Sequence, residues 1–78
     1  MTANSKTRFS ITTVYEDIEG EPKSSRTRHY TSTSDKDDII DWFEDKYRKD
    51  GMDRDNGKYF CTTTTSKGFT THILEFQD

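Results

Sequence analysis

Hydrophobic and polar residues alternate near the start of the chain, which is the pattern of a half-buried β-strand. Over residues 8–18 one face of the predicted strand would carry Phe9, Ile11, Thr13 and Tyr15, and the other Ser10, Thr12, Val14 and Glu16. The segment 19–22, Glu-Gly-Glu-Pro, contains the two strongest turn formers and predicts a turn. Residues 23–32 resume as a second strand. Because this strand is polar and carries Lys and Arg, we expect it at an edge of the sheet.

The hydrophobic spacing changes to three and four residues after Ser34, which predicts a helix over about residues 35–49. Its apolar stripe consists of Ile39, Ile40, Phe43 and Tyr47, with Trp42 on the flank. Ser34 is the predicted N-cap, and acidic residues in the first turn suit the positive end of the helix dipole. Basic residues occupy the last turn, and Gly51 is placed to cap the C-terminus.

Two further strands are predicted after a loop over residues 50–57. Residues 59–65 have strand composition, residues 66–68 suggest a hairpin turn, and residues 69–76 return. A two-residue turn would put Tyr59, Cys61, Leu74 and Phe76 on one face, whereas a three-residue turn would put Phe60 with Leu74 and Phe76. The sequence leaves this register open. The expected fold class is α+β, in the order β-β-α-β-β: a four-stranded antiparallel sheet with one helix packed on one face.

Composition places the chain near the border of disorder, with 27% hydrophobic and 35% charged residues among 78 and a mean hydropathy of -1.16. Ten of the hydrophobic residues are aromatic. Each of these removes about 150–250 Å² from water when buried, and the threonine-rich segments favour strands. We therefore expect one folded domain over residues 8–78 with a thin aromatic core, preceded by a flexible tail at residues 1–7.

The composition also disfavours several broad classes of protein. No apolar run approaches the roughly 18 residues of a membrane span, and the first residues lack the hydrophobic stretch of a secretory signal. The single cysteine, Cys61, cannot form an internal disulfide. We therefore expect a cytoplasmic protein, in the host cytoplasm if it is phage-encoded.

Candidate catalytic and metal-binding side chains are few. Acidic and amide residues precede Gly57, namely Asp50, Asp53, Asp55 and Asn56. A calcium loop starting at Asp53 would have its glycine one position early and a threonine where the bidentate glutamate belongs. Cys61, His29 and His72 lack zinc-finger spacing, although Cys61 and His72 could meet across the hairpin. No nucleophile elbow or glycine-rich phosphate loop is present. We expect neither enzymatic activity nor a metal or cofactor.

Carboxylates line the helix face opposite the apolar stripe: Asp37, Asp41, Glu44 and Asp45, with Asp38 at the margin. Glu44 and Arg48 form a favourable i,i+4 pair, as do Asp45 and Lys49, whereas the aspartates repel one another. This face is either an ordinary solvated surface or a negative stripe that occupies a basic, nucleic-acid-binding site.

Basic residues cluster on the second strand, where Lys23, Arg26, Arg28 and His29 adjoin Tyr30. Arg26 and Arg28 are candidates for binding a phosphate or another anion. A net charge of -3 disfavours extended nucleic-acid binding, and the alternative is a solubilising edge strand.

Two short strings, Val14-Tyr15-Glu16 late in the first strand and Trp42-Phe43 on the helix after a Ser/Thr-Asp cap, resemble one small family of type I-F anti-CRISPR proteins. These are phage and mobile-element inhibitors of host defence. The strings cover five of 78 residues, and this chain closes with a Thr-rich hairpin where that family has a helix. The resemblance implies that Tyr15 and Glu16 contact a nucleic-acid-binding surface of the target complex.

The sequence therefore favours a non-enzymatic, protein-binding inhibitor that is a monomer or homodimer. Its expected partner is a host or phage protein complex, contacted through Tyr15, Glu16, Asp37, Asp41, Glu44 and Asp45. One alternative is a small nucleic-acid-binding module using Arg26 and Arg28. Another is a structural module that self-associates through its edge strands.

Overall fold

One helix packs on a five-stranded antiparallel sheet in the computed structural model, which describes residues 6–48 and 51–77. The elements are β1 (Thr7–Asp17), β2 (Pro22–Ser32), α1 (Lys36–Tyr47), β3 (Met52–Asp55), β4 (Lys58–Thr65) and β5 (Gly68–Gln77). The strand order is β2-β1-β5-β4-β3. The predicted α+β class with one helix is confirmed, but the predicted number of four strands is wrong.

The additional strand, β3, lies inside the loop predicted over residues 50–57. It pairs with β4, Met52 opposite Cys61 and Asp55 opposite Lys58. Asn56 and Gly57 form the connecting turn with φ of 51° and 78°, and two positive φ angles are what a two-residue type I′ hairpin requires. Asn-Gly between strands is a strong hairpin signal, so the turn was detectable. The composition of β3 did not predict a strand, because three of its four residues are charged.

The predicted turn between β1 and β2 is confirmed, and Asp17 organises it. One carboxylate oxygen of Asp17 accepts the backbone N–H groups of Glu19 at 2.9 Å and Glu21 at 3.0 Å. The Glu21 N–H bond in particular holds the pKa of Asp17 below its usual range. β2 pairs only with β1 and lies at the edge of the sheet, as predicted.

The N-terminal end of α1 differs from the prediction. The N-cap is Asp35, whose side chain makes no capping hydrogen bond, and not Ser34. The Ser34 N–H donates to Ser32 Oγ at 3.0 Å, and the Ser34 carbonyl accepts a bond from Thr7 Oγ1 at 2.9 Å. Ser34 is thus held by the strand ends beside it. Thr7, assigned to the predicted tail, begins β1, while residues 1–5 lie outside the described residues.

The C-terminal end of α1 also differs, because the helix ends before Gly51. Its C-cap is Arg48, in extended conformation, and the Arg48 N–H donates to the Glu44 carbonyl at 2.9 Å. A helix that has already ended at Arg48 cannot use Gly51 as its cap.

The core lies between α1 and one face of the sheet and consists of Phe9, Ile11, Ile39, Phe43, Tyr59, Cys61 and Leu74. Thr65 pairs with Gly68, so the last hairpin has a two-residue turn. Of the two registers left open by the sequence, the structure therefore has the one that places Cys61 and Leu74 against the helix. Both side chains, with Phe43, are 0% exposed.

Candidate functional site

The acidic face of α1 consists of Asp37, Asp41 and Asp45, which are exposed, together with the half-buried Glu44. Glu44 Oε2 lies 2.8 Å from an Arg48 guanidinium nitrogen, which confirms that predicted i,i+4 pair. The partner predicted for Asp45, Lys49, lies outside the described residues. Within residues 6–48 and 51–77 none of the three aspartates makes an ion pair. Their charges are therefore directed to solvent in a row of i,i+4 neighbours.

Tyr15 and Glu16, the residues implied by the resemblance, lie at the end of β1 where its pairing with β2 is irregular. Tyr15 is opposite Ser24, on the face of the sheet that carries α1, whereas Glu16 is opposite Phe69 of β5 on the other face. Five of the six predicted partner-binding residues thus lie on the helix side of the sheet. Glu16 does not join them.

The sheet face remote from α1 carries a mixture of apolar and threonine side chains. Its apolar members are only half-buried: Val14, Phe60, Phe69 and Ile73. Hydroxyl pairs link neighbouring strands across this face, Thr12 to Thr27 at 2.9 Å and Thr62 to Thr71 at 3.3 Å. No other element in the described part of the chain covers this face.

A groove separates α1 from the edge strand β2, because the helix lies over β4 and β5. One half of this α1–β2 groove, here called its aromatic half, is a cleft of about 330 Å³. Tyr30 and Trp42 form its walls and are 38% and 42% exposed. Phe9 lies between them, its ring centroid 5.2 Å from that of Tyr30 and 6.2 Å from that of Trp42. Asp38 adds a carboxylate to the lining.

The other half of the groove, its cationic half, is a cleft of about 220 Å³ that is lined by Arg26, Arg28 and Lys46. Lys46 Nζ lies 5.4 Å from the ring centroid of Trp42 and 5.7 Å from that of Tyr47. None of the three cations makes an ion pair with a residue of the two described ranges. Tyr30 lines both halves and makes them continuous.

The sequence identified Arg26 and Arg28 as anion-binding candidates, with Tyr30 beside them, but not Lys46 or Trp42 as their companions. The alternation along β2 does place Arg26, Arg28 and Tyr30 on one face. No local pattern, however, indicates which flank of the helix faces this strand. Burial raises the pKa of Tyr47, at the floor of the cationic half, so its hydroxyl stays protonated.

The residues considered for nucleophilic chemistry lie in different environments. Cys61 and His72 are register partners, but Cys61 is 0% exposed and burial raises the pKa of its thiol. The His72 ring stacks on Tyr47 at 4.1 Å, its Nδ1 lies 3.1 Å from Thr13 Oγ1, and burial lowers its pKa. His29 lies on the opposite sheet face, with Nδ1 3.3 Å from Gln77 Nε2. This arrangement favours packing roles over nucleophilic ones.

The region considered as a calcium loop is the hairpin of β3 and β4. Asp53 and Asp55 are alternate residues of β3, Asn56 occupies the turn, and Asp50 lies outside the described residues. Among residues 6–48 and 51–77 no three His, Cys, Asp or Glu side chains are grouped to hold a metal ion.

Comparisons with known proteins return no match: no protein family, no curated protein and no solved structure resembles the chain significantly. No helix in the described ranges is long and apolar enough to cross a membrane.

Proposed function

We propose that this chain is a non-enzymatic binding protein that inhibits a protein partner by occupying its nucleic-acid-binding surface with the acidic face of α1. The proposed partner is a host or phage protein complex, as in anti-CRISPR inhibition, and Tyr15 and Glu16 are proposed as additional contacts. The observation that carries the proposal is the row of Asp37, Asp41 and Asp45, exposed and without ion pairs among the described residues.

This row does little for the stability of the helix. Only the first turn gains from the helix dipole, so Asp37 is favourable there but Asp41 and Asp45 are not. Like charges four residues apart cost about 0.2–0.5 kcal/mol per pair, and Asp41 has such a neighbour on each side. Asp41→Asn should therefore leave the free energy of unfolding unchanged or raise it by up to about 1 kcal/mol. Charges that do not stabilise the fold are available for a basic partner, whose approach they would accelerate.

The test is affinity purification with the immobilised protein followed by mass spectrometry. The test variant is Asp37→Asn/Asp41→Asn/Asp45→Asn, which removes three charges from the helix. The matched control, Glu19→Gln/Glu21→Gln/Glu75→Gln, removes three carboxylates from exposed positions outside the helix. Circular dichroism first establishes that both variants are folded.

We expect the wild type and the control to retain a nucleic-acid-binding protein that the helix variant does not retain. Added DNA or RNA should displace that protein, because both ligands would use one surface. Equal retention by the helix variant, or retention that nucleic acid does not affect, would contradict the proposal.

A further inference from the structure

The α1–β2 groove combines two kinds of recognition chemistry that the proposed function does not use. Exposed aromatic rings line one half, and the other is lined by cations that form no ion pair within residues 6–48 and 51–77. Exposed aromatic side chains stack on planar rings, and guanidinium groups bind phosphate oxygens in pairs. A ligand that satisfies both halves has a planar ring at one end and an oxyanion at the other.

The spacing of the two halves is set by regular secondary structure. On β2, Tyr30 and Arg28 are alternate residues and stand about 7 Å apart along the strand. On α1, Trp42 and Lys46 are separated by four residues, or about 6 Å of helix rise. The pair Tyr30 and Arg28 on β2 lies beside the pair Trp42 and Lys46 on α1. In each pair the aromatic residue lines the aromatic half and the cation lines the cationic half. This separation is of the order of that between a nucleobase and its own phosphate.

We propose that the α1–β2 groove binds a single nucleotide unit, with the base against the exposed surfaces of Tyr30 and Trp42 and the phosphate at Arg26, Arg28 and Lys46. Asp38 distinguishes this ligand from a phosphorylated tyrosine side chain, because a carboxylate in the aromatic half accepts the N–H groups of a base and finds no donor on a phenyl ring.

The charge distribution limits how much nucleic acid this groove can hold. The chain has a net charge of -3, and the neighbouring face of α1 carries the row of aspartates. A long polyanion would be repelled beyond the groove, since extended binding requires many neutralised phosphates. The ligand is therefore a free nucleotide or one residue of a short single strand. The proposal does not rest on the proposed function, because it uses a different row of helix residues.

Trp42 is the only tryptophan of the chain and lines the groove, so its fluorescence can report ligand binding there. Fluorescence titration with AMP should quench Trp42 in a saturable way. Adenosine, inorganic phosphate and phosphotyrosine are the comparison ligands, because each supplies only part of the chemistry. A short oligoadenylate distinguishes the two sources: tighter binding per site assigns the groove to single strands, and equal binding assigns it to free nucleotides. Either result supports the proposal.

Variants of exposed residues test each half of the groove. Arg28→Gln should weaken AMP binding about 10- to 100-fold, the usual effect of losing a hydrogen bond to a charged group. Lys67→Gln, in the exposed turn between β4 and β5, is the charge-matched control and should not change it. Trp42→Leu, followed by calorimetry, should weaken AMP binding about 5- to 100-fold through lost stacking and leave phosphate binding unchanged.

Four results would overturn the proposal. They are no AMP binding at millimolar concentration, adenosine or inorganic phosphate binding as tightly as AMP, phosphotyrosine binding more tightly than AMP, and equal effects of Arg28→Gln and Lys67→Gln. The proposed inhibitor function would survive all four, since its test depends on the aspartate row.

Discussion

Gly68, the first residue of β5, allows a prediction that separates two reasons why a position requires glycine. One is the backbone conformation, and the other is the lack of space for a Cβ atom. Its φ is +148°, a region that L side chains rarely adopt. A Cβ at this position would also overlap the carbonyl oxygen of Glu16 and lie 2.9 Å from Asp17 Cα. Gly51 has almost the same φ, +143°, but within residues 6–48 and 51–77 no atom lies within 4 Å of its ideal Cβ position, apart from those of its chain neighbours. The two glycines differ chiefly in the proximity of β1.

The expected magnitudes follow from this comparison. Gly51→Ala should cost only the backbone strain of a sparsely populated conformation, about 1–3 kcal/mol. Gly68→Ala should cost that strain and a further 1–3 kcal/mol or so, because carbon atoms normally approach no closer than about 3.5 Å and backbone atoms of β1 must move. The core of a domain of this size rarely supplies more than about 3–5 kcal/mol of stability. Gly68→Ala should therefore be marginally stable or unfolded, while Gly51→Ala remains folded.

Urea denaturation followed by circular dichroism measures both variants, with unchanged slopes as the check on two-state behaviour. Equal losses in the two variants would refute the close approach of β1 to Gly68. Loss of stability in Gly51→Ala alone would refute the argument from the similar φ angles of the two glycines.

Three further predictions concern side chains in the core and at its margin. Phe43→Ala should cost about 3–5 kcal/mol of stability, and circular dichroism should show most of the protein unfolded at 25 °C. Trp42→Ala, at the neighbouring but 42% exposed position, should leave the protein folded. Because burial lowers the pKa of His72 below that of the unfolded chain, the unfolded state binds the proton first. The free energy of unfolding should therefore decline as the pH falls below about 6.5, and more steeply than in His72→Gln. Urea titration at each pH measures both proteins, and parallel curves of stability against pH would contradict this prediction. The Cys61 thiol should react with a thiol reagent only as fast as the protein opens, so rapid labelling of the folded protein would contradict its burial.

Local chemistry along the chain determined much of this fold. The alternation of β1, the Glu-Gly-Glu-Pro turn and the stripe of α1 each depend on neighbours within a few residues, so their positions were predictable. The N-cap residue of α1 was less predictable, because the hydrogen bond from Thr7 that holds Ser34 joins residues 27 positions apart in the sequence. The short strand β3 was missed because its charged composition outweighed the Asn-Gly turn beside it.

Tertiary structure alone decided which residues share a surface. The register of the last hairpin depends on whether Thr65 pairs with Gly68, and core packing against Phe43 selects the arrangement that buries Cys61 and Leu74. The α1–β2 groove exists because the helix packs over β4 and β5 and leaves the edge strand uncovered. Arg28 and Lys46 meet there from elements that no sequence pattern connects. Periodicity specifies the face on which a side chain lies, whereas only the packing of one element on another specifies what that face meets.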